Sequence, residues 1–312
     1  MESTTEVAIP ATMSPELRIG LTFICFCFYF LCAMASFRYG PKPMRLEKGK
    51  WVTMKKPDHD MHYLEWVSIV HGVSCILIGG YISYYYGFRY NRKTLYSQYF
   101  MAANSFGYFM YDTIAEWYFG TFDLGMIAHH IASMAAIVFI LFEQYGGCAM
   151  MTGLYYAEMS GPCFIFRCAF KRQNLESTRK YLYVVTLYSI CYFFSRGVGY
   201  TTALYPIAGA LKIPFYLKCI FIPSLLISYI WLILIISMLW KTLPNWSQNP
   251  KEIENSRWWI SGRKFFNKYT KDSPWVYVTI LFMAIVFCIM PLSYAYIANN
   301  VDPSWGYTEV YE

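Results

Sequence analysis

Asp112, His129, His130, Glu158 and Arg196 are ionisable side chains that the sequence places among apolar neighbours. The two adjacent histidines lie inside LGMIAHHIASMAAIVFILF, residues 124–142, an uncharged run of about the 20 residues that a bilayer crossing requires. Ionisable groups at that depth are rare, and they mark binding sites, ion paths and proton relays. Two carboxylates, two imidazoles and a guanidinium could pass protons along a polar relay or hold a polar group in an otherwise oily setting.

Such residues need elements to carry them, and the sequence supplies eight long apolar runs: 19–37, 66–88, 95–119, 124–142, 144–166, 181–211, 219–240 and 274–298. With 57% hydrophobic and 14% charged residues, the chain has more apolar surface than a soluble domain of this length can bury. The expected fold is therefore all-α, a multi-pass transmembrane helical bundle of about eight spans. Three regions follow: 1–57, a polar arm with the first span and a loop; 58–243, the central helical domain; and 244–312, a basic loop, an extra span and an acidic tail.

Cation placement orients the bundle. Eighteen of the 26 Lys and Arg residues fall in 37–63, 170–180 and 241–274, whereas only Arg89, Arg92, Lys93 and Lys212 occupy the opposite loops. The positive-inside rule then puts both termini outside the cytosol. The net charge of +7 is spread along span ends and so suits anionic lipid headgroups, not nucleic acid. The segment 257–271, with five cations among Trp and Phe, reads either as a surface-lying amphipathic helix or as a plain loop. No CxxC pair joins the ten cysteines, so neither a disulfide framework nor a metal centre is expected.

Helix geometry says which polar groups can meet. A very short turn near Gly120 forces the third and fourth spans to run antiparallel, and Asp112 and His130 each lie nine residues from its centre. At ~1.5 Å per residue they share one depth. The turn at Gly146 and Gly147 brings Glu158 opposite residue 133, one turn from the histidines. His129 and His130 point ~100° apart, so one can face this pocket while the other faces a neighbouring helix. Plainer readings stand beside these: Asp112 and Glu116 facing interfacial water, and His71 as a structural histidine. Glu158 precedes Gly161 and Pro162, which break the helix and free backbone carbonyls. Arg196 lies too deep in its span to reach water easily. Glu158 is its expected partner, though ~10 Å separates their levels by simple counting.

The order FGYFMYDT, DLGMIAHHIAS, YYAEMSGPCFIFR, YFFSRGVG and a final apolar run ending WKTLP resembles the TLC (TRAM, LAG1, CLN8) domain, most of all the TLC domain-containing protein 4 group. It covers roughly residues 58–243. The resemblance implies a core of six to seven helices in the endoplasmic reticulum or another endomembrane, with membrane lipids as partners. The eighth run is an addition to that pattern. In the more distant ceramide synthases, which join an acyl-CoA to a sphingoid base, a histidine pair matches His129 and His130. There an imidazole can act as base or nucleophile with a carboxylate such as Asp112 orienting it. The synthases continue with a His-Asp pair and further aspartates, where this chain reads EQYGGCAMMTGLYYAEMSG.

Three functions follow. The first is lipid binding within the bundle in the service of membrane lipid homeostasis or trafficking, with Glu158, Arg196 and Pro162 shaping the site. The second is acyl transfer by His129 and His130 with Asp112, with acyl-CoA as co-substrate and no resident cofactor. The third is transport through a relay of Asp112, His130, Glu158 and Arg196.

Overall fold

The computed structural model describes residues 13–121 and 124–242, together with 244, 251, 254–257, 260, 261 and 264. The expected run 274–298 lies outside the described residues, as do Asn245 and most of the basic segment 257–271.

Nine helices follow in order among these residues: α1 (Pro15–Tyr39), α2 (Asp58–Tyr86), α3 (Tyr96–Phe119), α4 (Leu124–Phe142), α5 (Gly147–Glu158), α6 (Gly161–Arg172), α7 (Arg179–Tyr192), α8 (Tyr200–Gly209) and α9 (Phe215–Thr242). A π-helical segment, Phe193–Gly199, joins α7 to α8 without a loop. Start and stop signals account for the borders. Ser14 accepts the Leu17 N–H at 3.3 Å ahead of Pro15, the arrangement that caps a helix start. Gly120 ends α3 at φ +68°, and Gly146 at φ +103° turns the chain into α5, a region that glycine enters without strain.

Two of these helices, α1 and α2, are long and apolar enough to cross a membrane, and shorter apolar stretches occupy 129–142 in α4 and 227–242 in α9. On α1 the outward side chains are themselves apolar, with Phe23 66% and Leu31 62% exposed. Surface of that kind is stable against hydrocarbon, not water.

Helix α3 is the centre of the assembly and packs against α1, α2, α4 and α5. Gly107 lets the α1 backbone approach so closely that a Cβ there would stand 2.7 Å from the Phe26 nitrogen. A hydrogen-bonded chain ties three helices together inside the core: the Tyr29 hydroxyl donates to Asn104 Oδ1 (2.8 Å), Asn104 Nδ2 to Ser74 Oγ (3.0 Å), and Ser74 Oγ to the His71 carbonyl (2.7 Å). Buried donors and acceptors of this kind hold register only when each finds a partner.

The connection between α1 and α2 departs from the expected all-α plan. Residues Met44–Glu47 and Lys50–Thr53 form an antiparallel hairpin. Its turn residues Lys48 and Gly49 both have positive φ, 48° and 79°, the geometry that matches strand twist in a two-residue turn. The hairpin is docked on the far end of α6, where the Leu46 N–H donates to the Gln173 carbonyl and Asn174 Nδ2 to the Leu46 carbonyl, each at 3.0 Å.

Candidate functional site

The Gly120 turn sets α3 and α4 side by side, and His130 Nε2 lies 3.6 Å from Asp112 Oδ2. Both are buried, His130 to 2% exposure. The separation is longer than a hydrogen bond. On the other side of the ring, His130 Nδ1 lies 3.4 Å from Thr113 Oγ1. The hydroxyl of Thr113 is itself donated to the Phe109 carbonyl at 2.7 Å. Both nitrogens of His130 therefore face protein groups. Glu116 is buried as well, not turned to interfacial water.

His129 points elsewhere, as adjacent positions on a helix must. Its ring meets Trp231 of α9 edge-on at 5.9 Å and Phe109 at 6.2 Å. Trp231 is shared: its other neighbour is Arg196, whose guanidinium carbon stands 5.8 Å from the indole ring and 5.4 Å from that of Tyr192. Stacking on aromatic faces is a favourable setting for a planar cation.

Arg196 gives its hydrogen bonds to the backbone, while Glu158 remains close enough to feel its charge. Its guanidinium donates through Nε (3.1 Å) and Nη2 (2.7 Å) to the Ala157 carbonyl. The reason lies in the break between α5 and α6. Ala157 lies in the last turn of α5, and Gly161, whose N–H would otherwise close the turn on the Ala157 carbonyl, begins the next helix instead. A carbonyl at the interrupted end is open to an outside donor, and Arg196 is presented to it from the π-helical segment, a geometry frequent at functional sites.

Glu158 turns instead toward α2, with Oε2 3.9 Å from His71 Nδ1. The carboxylate fits because the backbone around it is bare: a Cβ on Gly161 would stand 3.1 Å from Oε2, and one on Gly72 would meet Pro162 at 3.3 Å. His71 is 1% exposed, stacks on Tyr108 at 3.9 Å, and directs Nε2 at Ser105 Oγ (3.2 Å) and Cys75 Sγ (3.3 Å). Phe109 separates the two imidazole–carboxylate pairs, 5.5 Å from His71 and 5.1 Å from His130. The polar groups thus form an arc around Phe109 that runs from Asp112 and His130 through His129, Trp231 and Arg196 to Glu158 and His71.

His71, Tyr108 and Trp231 are the members that residue spacing did not single out for this site. A lone histidine or tryptophan in an apolar run carries no spacing signal of its own. Among the described residues no group of three or more His, Cys, Asp or Glu is arranged to hold a metal ion.

Long apolar helices wrapped around buried histidine–carboxylate pairs define a helical membrane protein. The TLC domain model (TRAM, LAG1, CLN8) matches residues 64–243, more than half of the chain and every residue of the arc, so the chain belongs to the TLC domain family. Comparison with curated proteins and with solved structures gave no match. Membership points to a function connected with membrane lipids.

Proposed function

We propose that this protein binds a lipid within its helix bundle and serves membrane lipid homeostasis or trafficking, as an eight-crossing protein of the endoplasmic reticulum or a related endomembrane with both termini outside the cytosol. The observation that carries this reading is the arc itself. Ionisable groups are costly at bilayer depth, yet here an imidazole and a guanidinium are held beside the rings of Phe109 and Trp231. A few polar groups set in an aromatic wall is the usual make-up of a small-molecule site, and it suits the polar part of a lipid whose chain stays among the helices. In this reading Arg196 and His129 meet the lipid. Asp112 with His130, and Glu158 with Pro162, fix where they stand.

A second reading, acyl transfer from acyl-CoA, is favoured by one detail. Both nitrogens of His130 face protein groups, Asp112 and Thr113, whereas the described contacts of His129 are ring contacts. His129 would then be the base or nucleophile, with Asp112 and His130 as positioning residues behind it. Purified protein supplied with long-chain acyl-CoA and a sphingoid base separates the readings. Release of free CoA that is lost in His129→Gln supports acyl transfer; no release with any lipid amine or alcohol leaves lipid binding. A glycan on Asn245, in the sequon Asn-Trp-Ser, would overturn the orientation.

A further inference from the structure

The end of the molecule where α1 finishes and α2 begins carries a groove of about 370 Å³ between those helices, lined by residues that include Cys32, Ser36, Tyr39, Pro41, Trp66 and Val70. It shares no residue with the arc around Phe109. Its wall is apolar in effect, because the Ser36 hydroxyl is already donated to the Tyr63 carbonyl at 2.9 Å and the Tyr39 hydroxyl accepts from Arg38 Nε at 3.1 Å. Tyr39, Trp51 and Trp66 stand exposed at this level, as amphipathic rings do where hydrocarbon gives way to headgroups.

The charges around the groove are unbalanced. Four acids at this end have cationic partners: Glu47 pairs with Arg45, Asp58 lies 3.9 Å from Arg45, Asp60 lies 3.5 Å from Lys56, and Glu65 pairs with Arg172. Arg38, Lys42, Lys48, Lys50 and Lys55 are exposed and, among the described residues, have no carboxylate within ion-pair distance. Arg38 and Lys42 bracket the groove-lining stretch Tyr39–Pro41 in sequence. An acyl chain gains little by leaving one apolar setting for another, so selection at such a groove falls to the headgroup, and unpaired cations at a membrane surface select negative charge.

We propose that this groove is a site for an anionic phospholipid, with one acyl chain lying between α1 and α2 and the phosphate-bearing headgroup over Arg38 and Lys42. The full chain, reconstituted in nanodiscs of mostly zwitterionic phospholipid with a minor anionic fraction, can be extracted into mild detergent and its retained phospholipids quantified by mass spectrometry. The wild type should retain the anionic lipid well above its share of the nanodisc. Replacing both cations, Arg38→Gln with Lys42→Gln, should lower that enrichment by about fivefold per cation. Val70→Trp, at an exposed groove position, should reduce it by filling the space, with the melting temperature unchanged in either variant. Soluble glycerol phosphate should not displace the lipid, because it lacks the chain. Anionic lipid at its nanodisc share in the wild type, enrichment unaltered in both variants, or displacement by glycerol phosphate would each overturn the proposal.

Discussion

Two histidine–carboxylate pairs lie on either side of Phe109, the first buried in both members and the second with Glu158 half-buried, and they are built in different ways. Asp112 and His130 meet across a hairpin of two regular helices joined by a short turn. His71 and Glu158 meet across α2 and a helix interrupted at Gly161 and Pro162, so that pair holds together a place where the backbone itself is open. The first pair has a second imidazole, His129, beside it and faces α9. The second is enclosed by Tyr108, Ser105 and Cys75. Similar chemistry thus supports a site at one end of the arc and anchors a broken helix at the other.

That contrast can be broken by substitution. The largest effect is expected from His71→Ala, which empties a fully buried site stacked on Tyr108 and takes the imidazole from Ser105 and Cys75. Truncating a buried ring to Ala costs about 3–5 kcal/mol, read as a lower melting temperature in detergent, and a loss under 1 kcal/mol would mean the second pair anchors nothing. Gly107→Ala comes next. Its Cβ would meet α1 backbone at 2.7 and 2.9 Å, which cannot swing aside as a side chain can, so overpacking of about 1–3 kcal/mol is expected. A neutral result would contradict the close packing of α1 on α3 that frames the hairpin pair.

Replacing His129 and His130 together by Ala should be milder for stability, about 1 kcal/mol for a lost hydrogen bond, because His130 makes one long bond to Thr113 at 3.4 Å and His129 is half-buried with ring contacts, while lipid retention is lost. Circular dichroism and melting would show the fold intact. Smallest of all, Pro162→Ala should cost about 0.4–1 kcal/mol through greater freedom of the unfolded chain, since Gly161 and Arg196 still hold the interruption. A large rise in stability instead would show that proline alone forces the break.

How much of this was readable in advance differs between the pairs for physical reasons. A short turn leaves two helices no choice but to be neighbours, so equal residue counts from the centre of the turn, at 121, bring Asp112 and His130 to the same level, as found at 3.6 Å. The neighbours of α2 depend on how helices distant in sequence pack, and nothing in the spacing of His71 or Trp231 reports that. Arg196 was expected to seek a carboxylate because a buried cation needs a partner. The interrupted helix supplied a carbonyl one residue earlier than Glu158 for its hydrogen bonds, while the carboxylate faces His71 and stays within range of the Arg196 charge. The hairpin at 44–53 was hidden in a basic loop because its strands are four residues each and bury little.

The central claim is that the arc around Phe109 holds a lipid through His129 and Arg196. It is tested most directly by extracting the wild type, the His129→Ala/His130→Ala variant and an Arg196→Gln variant from native membranes under identical mild conditions, and identifying the tightly retained lipids by mass spectrometry. One lipid species, near stoichiometric in the wild type and reduced at least tenfold in both folded variants, is the result expected. The same lipids at the same stoichiometry in all three proteins would contradict the account.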